Sequence, residues 1–154
     1  WASNTEDRNR LWQARHDAAY ACKILRPGGT IWATDVCVPI SRLAECIRET
    51  RADLEASKLA APIVGHVGDG NIHFNLSQPK GSDLGEFMAQ GETLANIVYD
   101  VVDSLGGSFS AEHGIGQAKR RYLTHYRSKT DIELMRAIKF ALDPDNLLNP
   151  GKVL

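Results

Sequence analysis

The dipeptide Asp69-Gly70 separates two segments in which apolar and polar residues alternate, in the stretch GHVGDGNIHFN. Asp-Gly in this setting is a strong signal for a β-hairpin, because both central residues of a type I′ turn need positive φ. Counting outwards from the turn places His66 directly opposite His73. The sequence therefore predicts an antiparallel hairpin over residues 61–77, with both histidines on one face.

The two faces of this hairpin differ in chemistry. The apolar face suits packing under helices and carries Val67, Ile72, Phe74 and Leu76. The polar face carries His66, Asn71, His73 and Asn75. Directly opposed residues have Cβ atoms about 5 Å apart, so two opposed imidazoles can share one divalent ion.

Two interpretations of the histidine pair stay open at this point. Histidines beside a turn are more often polar surface residues or hydrogen-bonded core residues than metal ligands. A divalent ion also needs a third ligand, and the hairpin offers none of the right kind on this face except Asn75. An amide oxygen is a weak ligand, so the hairpin alone does not predict a metal site.

Helix signals surround the hairpin. Four amphipathic segments begin at capping residues, which are Ser3 with Glu6, Ser41, Asp83 with Glu86, and Thr130 with Glu133. The first is expected to cover residues 3–25 and to stop at RPGG, residues 26–29. The last is expected to bury Ile132, Met135, Ile138 and Leu142, and the third to bury Phe87, Leu94, Ile97, Val98, Val101 and Leu105. Residues 30–39 predict a strand and 107–111 a shorter one. Without repeats or linkers, the chain predicts one α+β domain with helices packed on an antiparallel sheet.

Composition excludes several classes of partner. The 154 residues contain 18 lysines and arginines and 19 acidic residues, a net charge of -1. No broad basic field is present to attract nucleic acid or an anionic membrane surface. Apolar stretches stay well short of the roughly 18 residues of a membrane span. Three cysteines without a CxxC pair favour reduced thiols and a cytoplasmic location. Because the sequence begins at Trp1, we expect it to be part of a longer protein.

A second candidate site lies in GGSFSAEHGIGQAKRRYL. Glu112 and His113 are adjacent and are flanked by glycines, which let the backbone bend or approach another element closely. Taken alone, Glu-His before a helix is equally consistent with capping and compensation of the helix dipole. The basic run at 119–121 is expected to be the solvated side of that helix.

Together these motifs resemble a known family. GHVGDGNIHFN, AEHGIGQAKRRYL and LDPDNLLNPGKVL, in that order, are similar to the C-terminal part of FAD-linked oxidases of the vanillyl-alcohol-oxidase type, especially the D-lactate dehydrogenase and glycolate oxidase branch. LWQARHDAAYA and ATDVCVPISRLAE look like the same branch, so the resemblance covers nearly the whole chain. It implies a ferredoxin-like cap domain and an FAD-dependent oxidation of a D-2-hydroxy acid.

The resemblance also assigns roles to individual residues. The two histidines of the hairpin motif and the glutamate of the EHG motif hold a divalent metal, Zn or Mn, which implies His66, His73 and Glu112 as ligands. The histidine of EHG lies beside substrate and flavin and is expected to act as general base; here it is His113.

Three further residues match substrate or flavin contacts of the family. An arginine in the LWxxR segment, here Arg15, pairs with the substrate carboxylate. Asn75 matches an asparagine that contacts substrate in the 2-hydroxyglutarate branch. Asn149 is expected to lie near the FAD-binding domain.

Two departures limit the transfer from the family. The hydroxyglutarate branch carries a lysine where this chain has Ala33, so the sequence favours a small monocarboxylate over a dicarboxylate. No glycine-rich phosphate cradle follows a strand, so FAD is expected to be bound mainly by an N-terminal domain outside these residues. Two other functions stay open: a metal-stabilised binding module without chemistry of its own, and a metal-dependent hydrolase, since two histidines and a glutamate around an ion also activate water.

Overall fold

The strands and helices of the computed structural model form an α+β domain, as the sequence predicts. The structure describes residues 1–24 and 29–154, and side chains only outside 19–28. In this part of the chain the strands are β1 (Ile31–Ala33), β2 (Val36–Cys37), β3 (Ile63–His66) and β4 (Asn71–Ser77). The helices are α1 (Thr5–Ile24), α2 (Leu43–Glu55), α3 (Leu84–Ser104), α4 (Arg120–Tyr126) and α5 (Lys129–Leu142).

Strand β4 is the centre of an antiparallel sheet. β3 pairs with one of its edges, and β1 and β2 pair with the other in a single continuous register. The predicted strand at 30–39 is therefore one extended segment with a short interruption. At the interruption, the hydroxyl of Thr34 accepts the N–H of Phe74 at 3.2 Å. A side chain thus occupies the position in which a backbone carbonyl would continue the ladder.

The second predicted strand, at 107–111, is reduced to one residue. Ser108 exchanges two backbone hydrogen bonds with Cys37, at 2.8 and 3.0 Å, on the outer edge of the sheet. Counting this bridge, the order along the chain from β1 onwards is strand, helix, strand, strand, helix, strand. This is the layout of a ferredoxin-like domain.

The hairpin exists, but its predicted register is wrong by two residues. His66 pairs with Asn71 and His73 with Val64, so the loop has four residues rather than two. The predicted type I′ turn needs positive φ at both central residues, but of these only Gly70 has it, at +75°. The Asp69 N–H instead donates to the carbonyl of His66 at 3.3 Å and closes a different turn.

A shift of two residues preserves the faces of the strands, because side chains alternate with period two. Ile72, Phe74 and Leu76 are fully buried, as predicted. His73 and Asn75 lie on the opposite face. Val67 was expected to be on the apolar face, but it belongs to the loop and is largely exposed.

The core lies between the apolar face of the sheet and two helices. α2 packs against α3, and α3 against β1 and β2. The predicted buried side of α3 is confirmed for Phe87, Leu94, Val98, Val101 and Leu105. Asp83 caps this helix by accepting the Glu86 N–H at 2.9 Å, as the sequence predicts.

Three other predicted caps are displaced. At α1, Asn4 rather than Ser3 accepts the N–H of the third helical residue. α2 follows a 3₁₀ turn at Ile40–Arg42 and has no side-chain cap. At α5, Ser128 and Asp131 form the capping box, two residues before the predicted pair. At α1 and α5 the true cap is a nearby pair with the same polar spacing, and pattern alone does not rank such alternatives.

The inward face predicted for the last helix is half wrong. Ile132 is buried and Met135 packs against the core. Ile138 and Leu142 are exposed, because α5 packs mainly against α4 and leaves its far end in solvent. Cys46 is buried, Cys37 is half-buried, and neither is in a disulfide, so the reduced state of the cysteines stays a prediction. The side chain of Cys22 and the predicted stop at 26–29, apart from Gly29, lie outside the described residues.

Within residues 1–24 and 29–154, no helix combines the length and the apolar character that a membrane span requires.

Candidate functional site

The segment that carries Glu112 and His113 is fixed to the sheet by a carboxylate that the sequence analysis did not single out. Asp35, in the extended segment between β1 and β2, accepts the backbone N–H groups of Ala111, Glu112 and His113 at 3.1, 3.3 and 2.9 Å. Its side chain is 2% exposed. Three successive amides therefore converge on one buried anion, which sets the path of this loop.

Lys119 completes the charge balance of this buried group. Its Nζ lies 3.3 Å from Asp35 Oδ2 and also donates to the carbonyls of Asp35 and Phe109 and to Ser110 Oγ, at 3.1 to 3.2 Å. Only 15% of the side chain is exposed. The expectation that residues 119–121 are a solvated basic face is therefore wrong for Lys119.

The electrostatics of Asp35 follow from these partners. Burial alone would raise the pKa of its carboxyl group, but the N–H groups of His113 and Glu112 and the charge of Lys119 outweigh this effect. The net result is a pKa below the usual 3.8. Burial lowers the pKa of Lys119, and the nearby carboxylate opposes that change. Asp35 is therefore an anion at neutral pH.

His73 has a defined orientation towards Glu112. Its Nδ1 lies 3.3 Å from the carbonyl oxygen of Thr34, and its Nε2 lies 3.1 Å from Glu112 Oε1. A proton on Nδ1 can be donated to the carbonyl, which leaves the Nε2 lone pair directed at a carboxylate oxygen. Two acceptors at this distance repel each other unless a proton or a cation lies between them.

His113 lies over His73 at the surface of the same site. The two rings are nearly parallel, with centroids 5.4 Å apart. His113 Nε2 is 3.7 Å from Glu112 Oε1, and 62% of its side chain is exposed. The imidazole of His113 can therefore meet a molecule that approaches from solvent.

These side chains have the chemistry of a divalent metal site. One potential ligand atom from each of Asp35, His73, Glu112 and His113 lies within 4.8 Å of all the others. Imidazole nitrogens and carboxylate oxygens are the donors that zinc prefers in catalytic sites, and the His73 contact with Thr34 is the type of outer hydrogen bond that fixes a ligand tautomer. The donor set fits Zn or Mn.

The predicted ligands are only partly brought together. His73 and Glu112 are in contact, but His66 lies beside this group rather than within it. The centroids of the His66 and His73 rings are 6.3 Å apart, and the planes are almost perpendicular. The two-residue shift in hairpin register explains this offset, because His66 is opposite Asn71 rather than opposite His73.

A cavity of about 180 Å³ opens beside the cluster. Its lining consists of Ala33, Val64, His73, Asn75 and His113. The structure therefore places the predicted substrate residue Asn75 next to the predicted base, with its side-chain amide 3.4 Å from the carbonyl of Pro62. Ala33, at the position of the hydroxyglutarate-branch lysine, lines the same cavity.

Two predicted site residues lie outside this group. Arg15 is an exposed residue of α1 and is not part of the hydrogen-bonded cluster around His73. Asn149 is exposed in the C-terminal tail, with a φ of +49°. The tail returns to the domain where Val153 donates to the carbonyl of Gly116, at 2.8 Å.

The sequence is similar to proteins that are named as D-lactate dehydrogenases. The sequence is 47% identical over 156 residues to a Danio rerio protein named probable D-lactate dehydrogenase, mitochondrial, covering 100% of this chain and 31% of that protein. It is 35% identical to D-lactate dehydrogenase (cytochrome), mitochondrial, of Arabidopsis thaliana, covering 100% of this chain and 27% of that protein.

A bacterial relative acts on a different substrate according to its name. Over 126 residues the sequence is 37% identical to D-2-hydroxyglutarate dehydrogenase of Stutzerimonas stutzeri strain A1501, covering 80% of this chain and 27% of that protein. The chain thus spans less than a third of the length of these three relatives. Two of the names include a mitochondrial location, so the cytoplasmic location expected from the cysteines stays a prediction.

The family described as FAD linked oxidases, C-terminal domain, matches residues 1–153. This match covers nearly the whole chain, and the alignments with the Danio rerio and Arabidopsis thaliana proteins cover all of it. The chain therefore belongs to the family of C-terminal domains of FAD-linked oxidases.

Proposed function

We propose that this chain is the substrate- and metal-binding domain of an FAD-dependent D-2-hydroxy acid dehydrogenase, with D-lactate or glycolate as the type of substrate. The observation that carries the proposal is the contact of His73 Nε2 with Glu112 Oε1 beside the exposed ring of His113, at the edge of a small cavity. The family and the names of the relatives support the same reaction class.

The proposed metal ligands are His66, His73 and Glu112. A divalent ion between His73 and Glu112 would relieve the repulsion of the two facing acceptors, and a change of side-chain rotamer is needed to add His66. The ion, Zn or Mn, supplies Lewis acidity that makes a substrate hydroxyl easier to deprotonate. Its nearest protein environment would be two neutral imidazoles and one carboxylate, as in catalytic zinc sites.

His113 is the proposed general base. Its ring is exposed at the cavity, and an imidazole nitrogen with a free lone pair can accept a proton from a bound molecule. Asp35 fixes its backbone through the 2.9 Å hydrogen bond, so the ring is presented at a defined position. In the proposed reaction His113 takes the proton of the substrate hydroxyl, while FAD supplies the hydride acceptor for the hydrogen on C2.

The remaining predicted residues have supporting roles in this proposal. Asn75 lines the cavity and offers an amide to the substrate. Arg15 would pair with the substrate carboxylate in a bidentate geometry that lysine does not reproduce. Asn149 would lie close to the flavin, which we propose is held mainly by an N-terminal domain outside these 154 residues.

The uncharged wall of the cavity at Ala33 favours a small monocarboxylate as substrate. Ala33 contributes a methyl group to the wall rather than a cation that would neutralise a second carboxylate. Burying an unpaired charge is unfavourable, so a dicarboxylate should be oxidised less efficiently than D-lactate. D-Lactate is therefore the first substrate to test.

The test is a steady-state assay of the intact flavoenzyme that carries this domain, with an artificial electron acceptor and D-lactate, L-lactate, glycolate and D-2-hydroxyglutarate as substrates. We expect bleaching of the flavin and acceptor reduction with D-lactate or glycolate, and metal by elemental analysis. Absence of acceptor reduction with all four substrates would overturn the proposal. Release of product from esters without an acceptor would instead support the metal-dependent hydrolase.

A further inference from the structure

We propose that Asp35 and Lys119 are positioning residues, which hold the Ala111–His113 segment in the geometry needed for proton transfer, and that Asp35 is not a metal ligand. This inference rests on the function proposed above, because it concerns the residues that place Glu112 and His113.

Asp35 lies beside the two histidines, with Oδ1 3.8 Å from His73 Nδ1 and Oδ2 3.9 Å from His113 Nδ1, but its hydrogen bonds are made to the loop and to Lys119. Its Oδ2 accepts the N–H groups of Ala111 and His113 and the Nζ of Lys119, and its Oδ1 accepts the N–H of Glu112. Both oxygens are engaged, and the side chain is 2% exposed. By contrast, Glu112 and His113 expose 48% and 62% of their side chains. An incoming ion can therefore reach Glu112 and His113 without disturbing Asp35.

Lys119 joins three parts of the site. Its Nζ contacts the sheet through Asp35 and the preceding loop through the Phe109 carbonyl and Ser110 Oγ, while its backbone lies directly before α4. The start of a helix, the edge strand and the loop are thus connected by one ammonium group. A buried ammonium of this kind is stabilised by its carboxylate partner and by the carbonyls around it.

Convergence of three successive amides on one carboxylate makes the loop an anion-binding nest that the protein fills with its own side chain. Because the backbone at 111–113 is held in this way, the Cα–Cβ directions of Glu112 and His113 are set by Asp35. Glu112 Oε1 then lies within 3.7 Å of both His73 Nε2 and His113 Nε2. The geometry points to a pair of residues, Asp35 and Lys119, that acts on the reaction through the position of the loop.

The principal test is Asp35→Asn in the intact enzyme, because the substitution preserves shape but removes the charge and one acceptor. We expect kcat to fall about a hundredfold, since small displacements of reacting groups have effects of that size. Metal content should match that of Lys119→Met, which loosens the same loop but keeps the Asp35 carboxylate. Amide hydrogen exchange of residues 111–113 should become about tenfold faster or more, because their charged acceptor is weakened.

Lys119→Met provides the second variant, since it leaves the carboxylate and its three amide contacts in place. If Asp35→Asn does not fold, this variant carries the test, with the same direction of change in kcat and in amide exchange. Lys119→Arg keeps the charge and should recover part of the lost kcat. In the double variant Asp35→Asn/Lys119→Met the losses should be less than multiplicative, because the two residues act as one unit.

Tyr126→Phe is the matched control for stability. It removes a part-buried 2.7 Å hydrogen bond to Asp100 and leaves residues 111–113 unchanged. This variant should unfold at a lower temperature while kcat and the exchange of the loop amides stay at wild-type values.

Loss of metal from Asp35→Asn that is not matched in Lys119→Met, at equal exchange of the amides of residues 111–113, would overturn the proposal, because it would make Asp35 a ligand. Unchanged exchange at 111–113 would overturn it as well. Because amide exchange is read without substrate, it still decides the positioning role if the wild-type enzyme oxidises no D-2-hydroxy acid, a result that would refute only the proposed reaction.

Discussion

The imidazole rings of His73 and His113 are stacked, with an angle of 19° between their planes. One ring is anchored by the Thr34 carbonyl and turned towards Glu112, and the other faces solvent. The two histidines therefore have different environments. Such a difference is a common reason why two residues of one type have different roles, here the proposed metal ligand His73 and the proposed general base His113.

Replacement of His113 by alanine should separate catalysis from metal binding. Loss of a general base lowers turnover by about 10²- to 10⁴-fold, and the metal ligands proposed here do not include this residue. Steady-state kinetics and elemental analysis of the same preparation give both quantities. The exposed His125→Gln variant is the control. Full activity of His113→Ala would remove this histidine from the mechanism.

Replacement of His73 by alanine should weaken metal binding. His73 is the proposed ligand whose ring is held by a main-chain carbonyl, and loss of one of three ligands should weaken affinity about a hundredfold or more. Glu112→Gln and His66→Ala should have the same effect if all three are ligands. Titration with Zn measured by calorimetry gives the affinities, and wild-type affinity in His66→Ala would exclude it from the set.

A lysine at position 33 should alter the choice of substrate. Ala33 lines the cavity beside His113, so Ala33→Lys would place an ammonium where a second carboxylate can bind. We expect kcat/KM for D-2-hydroxyglutarate relative to D-lactate to rise about tenfold. The control is Ala33→Met, whose side chain is of similar length but uncharged. It should lower kcat/KM for both D-lactate and D-2-hydroxyglutarate, and the ratio of the two should not shift towards D-2-hydroxyglutarate.

The C-terminal tail gives a prediction of pH dependence. Asp143 is hydrogen-bonded by Lys139, which lowers the pKa of its carboxyl group, and the N–H groups of Leu147 and Leu148 act in the same direction. Because the folded-state pKa is below the unfolded value of about 3.9, its stabilisation is complete above pH 4 and disappears as the pH falls through the folded value.

Asp143→Asn should therefore melt at a lower temperature than the wild type at pH 7, and the difference should shrink as the pH falls below 4. Circular dichroism melts at pH 7, 5, 4 and 3 test this. A difference that stays constant over this range would contradict the role of the charge.

The hairpin loop is sensitive to substitution at Gly70. A Cβ there would lie 2.0 Å from the carbonyl oxygen of Val38, and φ is +75°. Gly70→Ala should lower the free energy of unfolding by more than about 1 kcal/mol, measured by urea denaturation. Gly68→Ala is the matched control, because a Cβ at Gly68 meets nothing within 4 Å.

Sequence reasoning succeeded where a pattern repeats along the chain. Alternation in the hairpin predicted that Ile72, Phe74 and Leu76 are buried, and this holds although the register is shifted by two. The register itself depends on the loop, where Gly70 accepts the N–H of Val38 through its carbonyl. That contact comes from a distant segment and has no signal within the hairpin.

The same limit explains why Asp35 and Lys119 were missed. An aspartate inside a strand-like run of apolar residues is unusual, and that was the available signal. Its partners lie about eighty positions away, so their convergence depends on strand pairing that no local spacing specifies. Lys119 belongs to a basic run, which predicts a solvated surface. That prediction holds for its neighbours Arg120 and Arg121, which are exposed.

The interruption between β1 and β2 has one more effect. Since the Thr34 hydroxyl takes over the Phe74 N–H, the Thr34 carbonyl is released to face His73 Nδ1. The nitrogen that His73 offers to a ligand is thus selected by the main chain rather than by a neighbouring side chain. A mutation at position 34 can weaken the pairing of the strand with β4 by removing the hydroxyl. The backbone carbonyl of residue 34 is still present, so the tautomer of His73 that it favours should not change.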